Sequence, residues 1–170
     1  VKAQIAAGGR GKAGLIRTAD TSVELLAHVR ALLGAVHKGM TVRECRVETQ
    51  VSGAEEAYLS LMLDPAAGGV RVTVAARGGV DIEALAASAG AIRSETAAPR
   101  LPDLTALAAR LTSGFKPNLA AALTSAAESL GRILLEAELL LLEINPLFVR
   151  PDGSWVAGDA SGASTQMRTS

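Results

Sequence analysis

The sequence has few aromatic residues, a single cysteine and no net charge, and each scarcity excludes a class of protein. Aromatic residues make up 2% of the 170 residues, so alanine, leucine and valine have to form the core. A lone Cys45 excludes an intrachain disulfide framework and favours a reducing compartment such as the cytoplasm. The 17 basic and 17 acidic residues balance, which argues against nucleic acid or an anionic membrane as the partner.

Long apolar runs and targeting segments are also lacking. The longest apolar run, residues 133–142, is interrupted by Glu136 and Glu138 and is shorter than the roughly 20 residues that span a bilayer. No signal peptide is recognisable. The length allows one domain with a substantial core. Because the chain opens on a valine in mid-strand and ends soon after a hairpin, we expect it to be a piece of a larger protein.

Apolar periodicity predicts antiparallel strands with helices packed on one face. The predicted strands cover residues 1–5, 41–51, 55–63 and 70–76, with a short return at 15–17. Three helices are predicted. The first begins at a cap formed by Asp20 or Thr21 and stops at Gly34, the second begins at an Asp103 cap and reaches residue 111, and the third covers 118–138. A further helix is expected to begin within 80–83, and residues 94–102 to form a loop. The strands between 41 and 76 are expected to form an antiparallel meander.

A glycine-rich basic loop follows the first strand, reading AGGRGKAG over residues 7–14. Glycines let a backbone turn its N–H groups toward an anion, and Arg10 and Lys12 add positive charge. Lys2 projects from the strand just before. The spacing fits neither the Walker nor the Rossmann pattern. A phosphate-covering loop is one interpretation, and a flexible basic loop without a ligand is the other, which the loop alone favours.

The segment from residue 139 to residue 160 predicts a hairpin around Pro151-Asp152-Gly153. With a three-residue loop, paired positions sum to 304, which sets Asn145 directly across from Asp159. Opposed side chains have Cβ atoms about 4.5–5.5 Å apart, so an amide oxygen and a carboxylate there can share one Mg²⁺. Asn and Asp near strand ends are more often turn or capping residues. The metal site becomes the better interpretation only when the glycine loop is considered with it.

Taken together, these motifs resemble the ATP-grasp acid–CoA ligases, and most closely the β subunits of ADP-forming succinate–CoA ligases and their malate–CoA ligase relatives. The glycine loop resembles the family's phosphate loop, and Glu143-Ile144-Asn145-Pro146 with Asp159 resembles its metal-binding hairpin. Residues 77–83 are similar to its Gly-Gly-hydrophobic-acidic turn. The resemblance implies an α+β ATP-grasp fold over residues 1–170. The family's opening segment and its C-terminal flavodoxin-like domain lie outside this sequence.

The resemblance also implies ligands and roles. ATP and Mg²⁺ are the expected cofactors. The phosphates would be held by Lys2, Gly9, Arg10 and Gly11. The rest of the nucleotide would be contacted by Glu48, Val51 and Glu56. Mg²⁺ would be bound by Asn145 and Asp159. In the family, ATP phosphorylates a histidine on a partner α subunit, an acyl phosphate forms, and CoA displaces phosphate. The partner would therefore be an α subunit, with CoA and a dicarboxylic acid as further ligands of the full enzyme and succinate as the default acid in the tricarboxylic acid cycle.

Several positions depart from the family pattern and leave two alternatives. Ala6 stands where a histidine is usual, and Ser161 where a lysine usually follows the metal aspartate. Arg77 replaces a common glutamate, as in malate–CoA ligases. One alternative is a malate– or citrate–CoA ligase β subunit, and the other is a degenerate domain that binds nucleotide or partner without catalysis. His28 and His37 lack partners at catalytic or metal-ligand spacing, so no catalytic residue is expected in this chain.

Overall fold

The computed structural model describes residues 1–7, 9–52, 54–79 and 91–164 and divides the chain into two compact units, Val1–Ser52 and Gly53–Ser170. In chain order the elements are β1 (Lys2–Gln4), α1 (Ser22–Leu32), β2 (Val36–His37), β3 (Met40–Thr41), β4 (Glu44–Arg46), β5 (Glu55–Asp64), β6 (Gly69–Ala75), β7 (Ile92–Ala97), α2 (Leu101–Leu111), α3 (Pro117–Glu136), β8 (Leu139–Val149), β9 (Trp155–Ala157) and β10 (Ala160–Ser164). The helix expected within 80–83 lies outside the described residues. Among the helices in those ranges, none is long and apolar enough to cross a membrane.

The first unit is built on the antiparallel pair β1–β4, in which Ala3 lies opposite Cys45. The predicted return after the glycine loop is present as a bridge between Lys2 and Ile16. Of the two caps expected for α1, the structure has Thr21, whose hydroxyl accepts a hydrogen bond from the Glu24 backbone at 3.2 Å. A small core of four buried residues fills the unit: Ala3, Leu15, Leu32 and Val42.

The strand predicted over residues 41–51 is wrong. β3 ends at Thr41 and β4 covers only Glu44–Arg46, because β1 offers just three residues to pair with. His37 lies in β2, which forms a short hairpin with β3. Lys38 and Gly39 both take positive φ at its tip, the conformation of a tight two-residue turn.

The second unit is organised around one sheet with strand order β10-β8-β5-β6-β7, and β9 pairs with β8. The meander is therefore β5-β6-β7, which corrects the prediction that residues 41–51 supply its first strand. The loop predicted over 94–102 is also wrong, since β7 pairs with β6 along its whole length. Pro102 does not break α2, because proline is tolerated in a first helical turn, where its missing N–H has no partner to lose. Arg100, not Asp103, occupies the cap position of α2, and no side-chain hydrogen bond caps it.

The apolar residues on either side of Asn145-Pro146 belong to one strand, β8. Proline has no N–H to donate, but its carbonyl still accepts a hydrogen bond from the Gly158 backbone at 2.8 Å. The three-residue loop is confirmed by the pairs Leu147–Ala157, Phe148–Val156 and Val149–Trp155. Beyond the proline, β10 continues the same register, with Ala160 opposite Ile144 and Ser161 opposite Glu143.

Two helices cover one face of this sheet and create its core. α2 packs against β6 and β7, while α3 packs against β5 and β8. The helix side of β5 consists of Ala57, Leu59 and Leu61, each fully buried. Burying a leucine side chain contributes roughly 1.5–3 kcal/mol, so the predicted alanine, leucine and valine core is sufficient without aromatic residues. Alternation along the strands then directs the residues between them to the opposite face.

Candidate functional site

We call the sheet face opposite the helices the polar face, defined by Tyr58, Ser60, Glu143 and Ser161. Ser60 pairs with Glu143, and Glu143 pairs on its other side with Ser161, so these three residues form one row across three strands. Ile144 points into the core at 3% exposure. Its neighbour Glu143 therefore lies on the polar face, because side chains alternate along a strand, whereas Asn145 stands where the pairing of β5 with β8 shifts register.

Asn145 and Asp159 form the next row. The Asn145 backbone N–H donates to the Asp159 carbonyl at 2.9 Å, which is the opposition that the 304 register predicts. Ser161 pairs with Glu143 and so shares the polar face, while Asp159 lies in the bend between β9 and β10, where its backbone is held opposite Asn145. An amide-bearing and a carboxylate-bearing residue are therefore directly opposed, and both side chains end in hard oxygen donors of the kind that Mg²⁺ takes.

A glycine turn fixes the amide of Asn145. The backbone N–H of Gly79 donates to Asn145 Oδ1 at 2.8 Å. The adjacent Gly78 N–H donates to the Glu56 carbonyl at 2.9 Å, and a Cβ on Gly78 would collide with the backbone of Ala57. The turn is therefore pressed against the start of β5. Because a carbonyl oxygen has two lone pairs, Asn145 Oδ1 can accept from Gly79 and still coordinate a cation.

A buried tyrosine reaches the same face from β5. The Tyr58 hydroxyl donates to Glu143 Oε2 at 2.8 Å. Burial is the main cause that raises the pKa of Tyr58 to about 12, and the Glu143 carboxylate raises it further while the Ser60 hydroxyl lowers it. The phenol therefore stays protonated and donates at neutral pH. The sequence reasoning missed Tyr58, since its partner lies 85 positions away and only the strand pairing brings the two together.

Within the described ranges, no group of three His, Cys, Asp or Glu side chains could hold a metal ion. The donor set at Asn145 and Asp159 fits Mg²⁺ in chemical type but supplies only two protein ligands. Mg²⁺ is commonly bound through one or two protein oxygens together with water and substrate phosphates. The residues therefore fit a magnesium ion that arrives with a nucleotide.

The first unit contains the residues predicted to hold the nucleotide phosphates. Lys2 Nζ lies 2.6 Å from Glu48 Oε2, and Arg46 Nε lies 2.7 Å from Glu48 Oε1. The hydrogen bond from Lys2 lowers the pKa of Glu48, although partial burial opposes the shift. Glu48 lies just after β4 rather than within a strand. The carboxylate of Glu48 therefore orients the ammonium group of Lys2.

The glycine loop is held at its base by a cation. Arg10 folds back so that its Nη1 donates to the Ala3 carbonyl at 3.2 Å. Gly9 has a φ of 80°, and a Cβ on Gly9 or Gly11 would meet nothing within 4 Å. The loop backbone is thus approachable from outside. Val51 is half-buried in the same unit, whereas Glu56 lies exposed on β5 of the second unit.

Comparison with known proteins agrees with this arrangement. Residues 1–149 match the family model described as ATP-grasp domain. The chain is 38% identical over 164 residues to the β subunit of an ADP-forming succinate–CoA ligase from Chloroflexus aurantiacus, covering 94% of this chain and 43% of that protein. It therefore spans less than half the length of that relative.

Two solved structures share the fold. The ATP citrate lyase of Methanothrix soehngenii, solved with citrate and coenzyme A, superposes with a TM-score of 0.67 at 19% identity, over 95% of this chain and 37% of that one. A dinucleotide-forming acetyl-coenzyme A synthetase from Ca. Korarchaeum cryptofilum, solved with coenzyme A and Mg-AMPPCP, gives 0.62 at 19% identity, over 96% and 75%. The family model that matches most of its length shows that the chain belongs to the ATP-grasp family.

Proposed function

We propose that this chain is the nucleotide- and magnesium-binding part of an ADP-forming acid–CoA ligase β subunit, with succinate as the default acid. The observation that carries the proposal is the direct opposition of Asn145 and Asp159 in the hairpin that resembles the family's metal-binding hairpin. The relative from Chloroflexus aurantiacus is a succinate–CoA ligase β subunit, which supports the reaction class. On this proposal residues 1–170 are one ATP-grasp domain and the cofactors are ATP and Mg²⁺.

Each group has a task that its surroundings explain. The anionic phosphates are bound by Lys2, which Glu48 orients, and by Arg10 together with the backbone of residues 9–11. Val51 and Glu56 contact the rest of the nucleotide. Asn145 and Asp159 would hold Mg²⁺, which, when bound, neutralises and orients phosphate oxygens. Positioning and charge neutralisation are what a protein mainly contributes to phosphoryl transfer.

The phosphoryl acceptor is proposed to belong to a partner α subunit, with CoA and the acid bound by other parts of the assembly. In the acetyl-coenzyme A synthetase structure, a phosphohistidine segment points toward the nucleotide binding site. An equivalent segment from a partner would supply the acceptor here. A compartment such as the cytoplasm, where ATP and CoA are both present, is the proposed location.

A thermal-shift titration with Mg-ATP tests the binding function. Ligand that binds only the folded state raises the free energy of unfolding by about 2.7 kcal/mol at a hundredfold excess over Kd. We expect stabilisation by Mg-ATP, less by ATP without Mg²⁺, and the loss of that difference in Asp159→Ala. Hydrogen exchange across residues 7–14 should also slow when Mg-ATP is added. Absence of any Mg-ATP effect on the wild type would refute the proposal.

A second function is favoured by one observation. Ser161 lies directly opposite Glu143, where the family usually places a lysine, so this carboxylate lacks the cation expected across from it. A domain that binds Mg-ATP without supporting phosphoryl transfer would fit this change. This second function would be supported if the chain binds Mg-ATP but the assembled enzyme fails to phosphorylate the cognate α subunit. Ser161→Lys should then restore the phosphorylation. The other alternative is a malate or citrate substrate. Measuring which acid the assembled enzyme converts to its CoA ester would decide it.

A further inference from the structure

Arg77 differs from the other basic residues of the second unit because the fold does not engage its guanidinium. It is exposed and stands between β6 and the glycine turn. In the described part of this unit, every other lysine and arginine donates to a carboxylate, a carbonyl or a hydroxyl, as Arg110 does to Glu95. Arg77 makes no such contact with a described residue. Its charge is therefore available to an anionic ligand.

The glycine turn fixes the backbone of Arg77 close to the proposed metal ligands. The Gly78 N–H donates to the Glu56 carbonyl at 2.9 Å. The Gly79 N–H donates to Asn145 Oδ1 at 2.8 Å. Two residues of chain span at most about 7 Å, so the backbone of Arg77 lies near the side chain of Asn145. The base of this arginine is thus held in place, while its exposed side chain can turn toward a ligand.

The groups around Arg77 attract a cation and not an anion. Asn145 and Asp159 offer an amide oxygen and a carboxylate, and the Glu56 carboxylate lies against the turn at Gly79. A magnesium ion held by such oxygens keeps phosphate oxygens in its other coordination positions. A guanidinium presents a planar fork of N–H donors that matches two phosphate oxygens. Arg77 is therefore the described cation of this unit that can contact a phosphate bound to that ion.

We propose that Arg77 binds the terminal phosphoryl group of the Mg²⁺-bound nucleotide through its guanidinium. The inference rests on the proposed function and adds a cation of the second unit to its phosphate contacts. The terminal phosphate carries the most negative charge and the most unshared oxygens, so a forked cation favours it. Loss of a hydrogen bond to a charged group weakens binding about tenfold. We expect an effect of this size at low ionic strength and a smaller one in salt, which screens exposed charges.

Calorimetry on the 170-residue chain provides the measurement, with Mg-AMPPCP as a non-hydrolysable ATP analogue and Mg-ADP as the nucleotide that lacks the terminal phosphate. Arg77→Gln should weaken AMPPCP binding about tenfold and ADP binding by much less. Arg77→Lys should retain part of this difference, because lysine keeps the charge but loses the fork. The matched control is Arg132→Gln, which removes the same charge from an exposed pair with Glu128 on α3 and should leave both Kd values unchanged.

The ³¹P spectrum of bound Mg-AMPPCP offers a second readout. Arg77→Gln should shift the resonance of the terminal phosphorus and leave that of the α-phosphorus nearly unchanged. If Arg77→Gln weakens AMPPCP and ADP equally, or weakens neither, the assignment of Arg77 to the terminal phosphoryl group is wrong. A wild-type chain that binds neither nucleotide would instead refute the proposed function itself.

Discussion

At the scale of single residues, Asp64 shows how one carboxylate stabilises a turn in a charge-dependent way. Asp64 is buried at the end of β5. Its carboxylate accepts a hydrogen bond from Arg71 Nη2 at 2.5 Å and another from the Ala67 backbone N–H at 3.1 Å. The hydrogen bond from Arg71 is the main cause that lowers the pKa of Asp64. A carboxyl whose pKa is lower in the folded state stabilises the fold above its unfolded pKa, near 3.9. That stabilisation is lost progressively as the pH falls through this value and below it.

We therefore expect urea denaturation to show stability falling as the pH drops from about 5 toward 2. Asp64→Asn should lower stability at pH 7 and flatten this dependence, because its amide cannot carry the charge that pairs with Arg71. Asp20→Asn, at an exposed position, is the control and should leave the slope nearly unchanged. An Asp64→Asn protein with the wild-type slope would show that other carboxyls cause the acid sensitivity.

Gly79 is a residue whose replacement should affect the metal site specifically. It has a φ of 66°, and an added Cβ would collide with the Glu56 carboxylate. Because its N–H fixes Asn145 Oδ1, Gly79→Ala should weaken the Mg²⁺-dependent part of nucleotide binding about tenfold. Gly114→Ala has a similar φ of 83° but open space around it, and serves as the control for backbone strain. Equal loss of Mg²⁺-dependent binding in both variants would argue against a positioning role for the turn.

At the scale of elements, the hairpin depends on a close approach at Gly158. An added Cβ would lie 2.5 Å from Phe148 Cε2 and 2.8 Å from the Pro146 carbonyl oxygen. Overpacking of this kind typically costs about 1–3 kcal/mol, so Gly158→Ala should destabilise the protein by that amount and displace Asp159 from Asn145. Gly162→Ala, whose Cβ would have contacts of 3.3 and 3.4 Å on the same hairpin, should be milder. Denaturation and Mg-ATP titration of both variants would measure the two effects, and equal behaviour would contradict the packing argument.

The elements also show which features can be predicted from sequence. The 304 register followed from a local loop of three residues, so the opposition of Asn145 and Asp159 was accessible without any distant contact. β7 was missed for two reasons. Its partner β6 is separated from it by an intervening segment, and about half of its own residues are polar because only one face of the strand is covered. The strand over residues 41–51 was overestimated because a propensity pattern does not reveal how short the partner β1 is. Tyr58 and Glu143 needed the β5–β8 pairing itself.

At the scale of the whole molecule, the described histidines offer no phosphoryl acceptor with a recognisable base. His28 lies on α1, and His37 lies in β2 with its Nε2 buried and without a hydrogen-bond partner among the described residues. Cys45 lies on β4, opposite Ala3. An adjacent base is one means of activating such a nucleophile, and in the described part of the chain no carboxylate pairs with any of these three residues.

We therefore predict that the 170-residue chain alone produces neither acyl-CoA nor a stable phosphoprotein from ATP, a dicarboxylic acid and CoA. The chain covers 43% of the succinate–CoA ligase β subunit it resembles, and the proposed acceptor and CoA sites lie elsewhere. Labelled ATP with product analysis provides the measurement. The corresponding full-length β subunit with its α subunit should form both products, and Asp159→Ala in that assembly should reduce the phosphorylation. The isolated chain is still expected to bind Mg-ATP, so the proposal requires a chain that binds nucleotide but is inactive. Turnover by the chain alone would place the phosphoryl acceptor within these residues and contradict the proposal that a partner chain provides it.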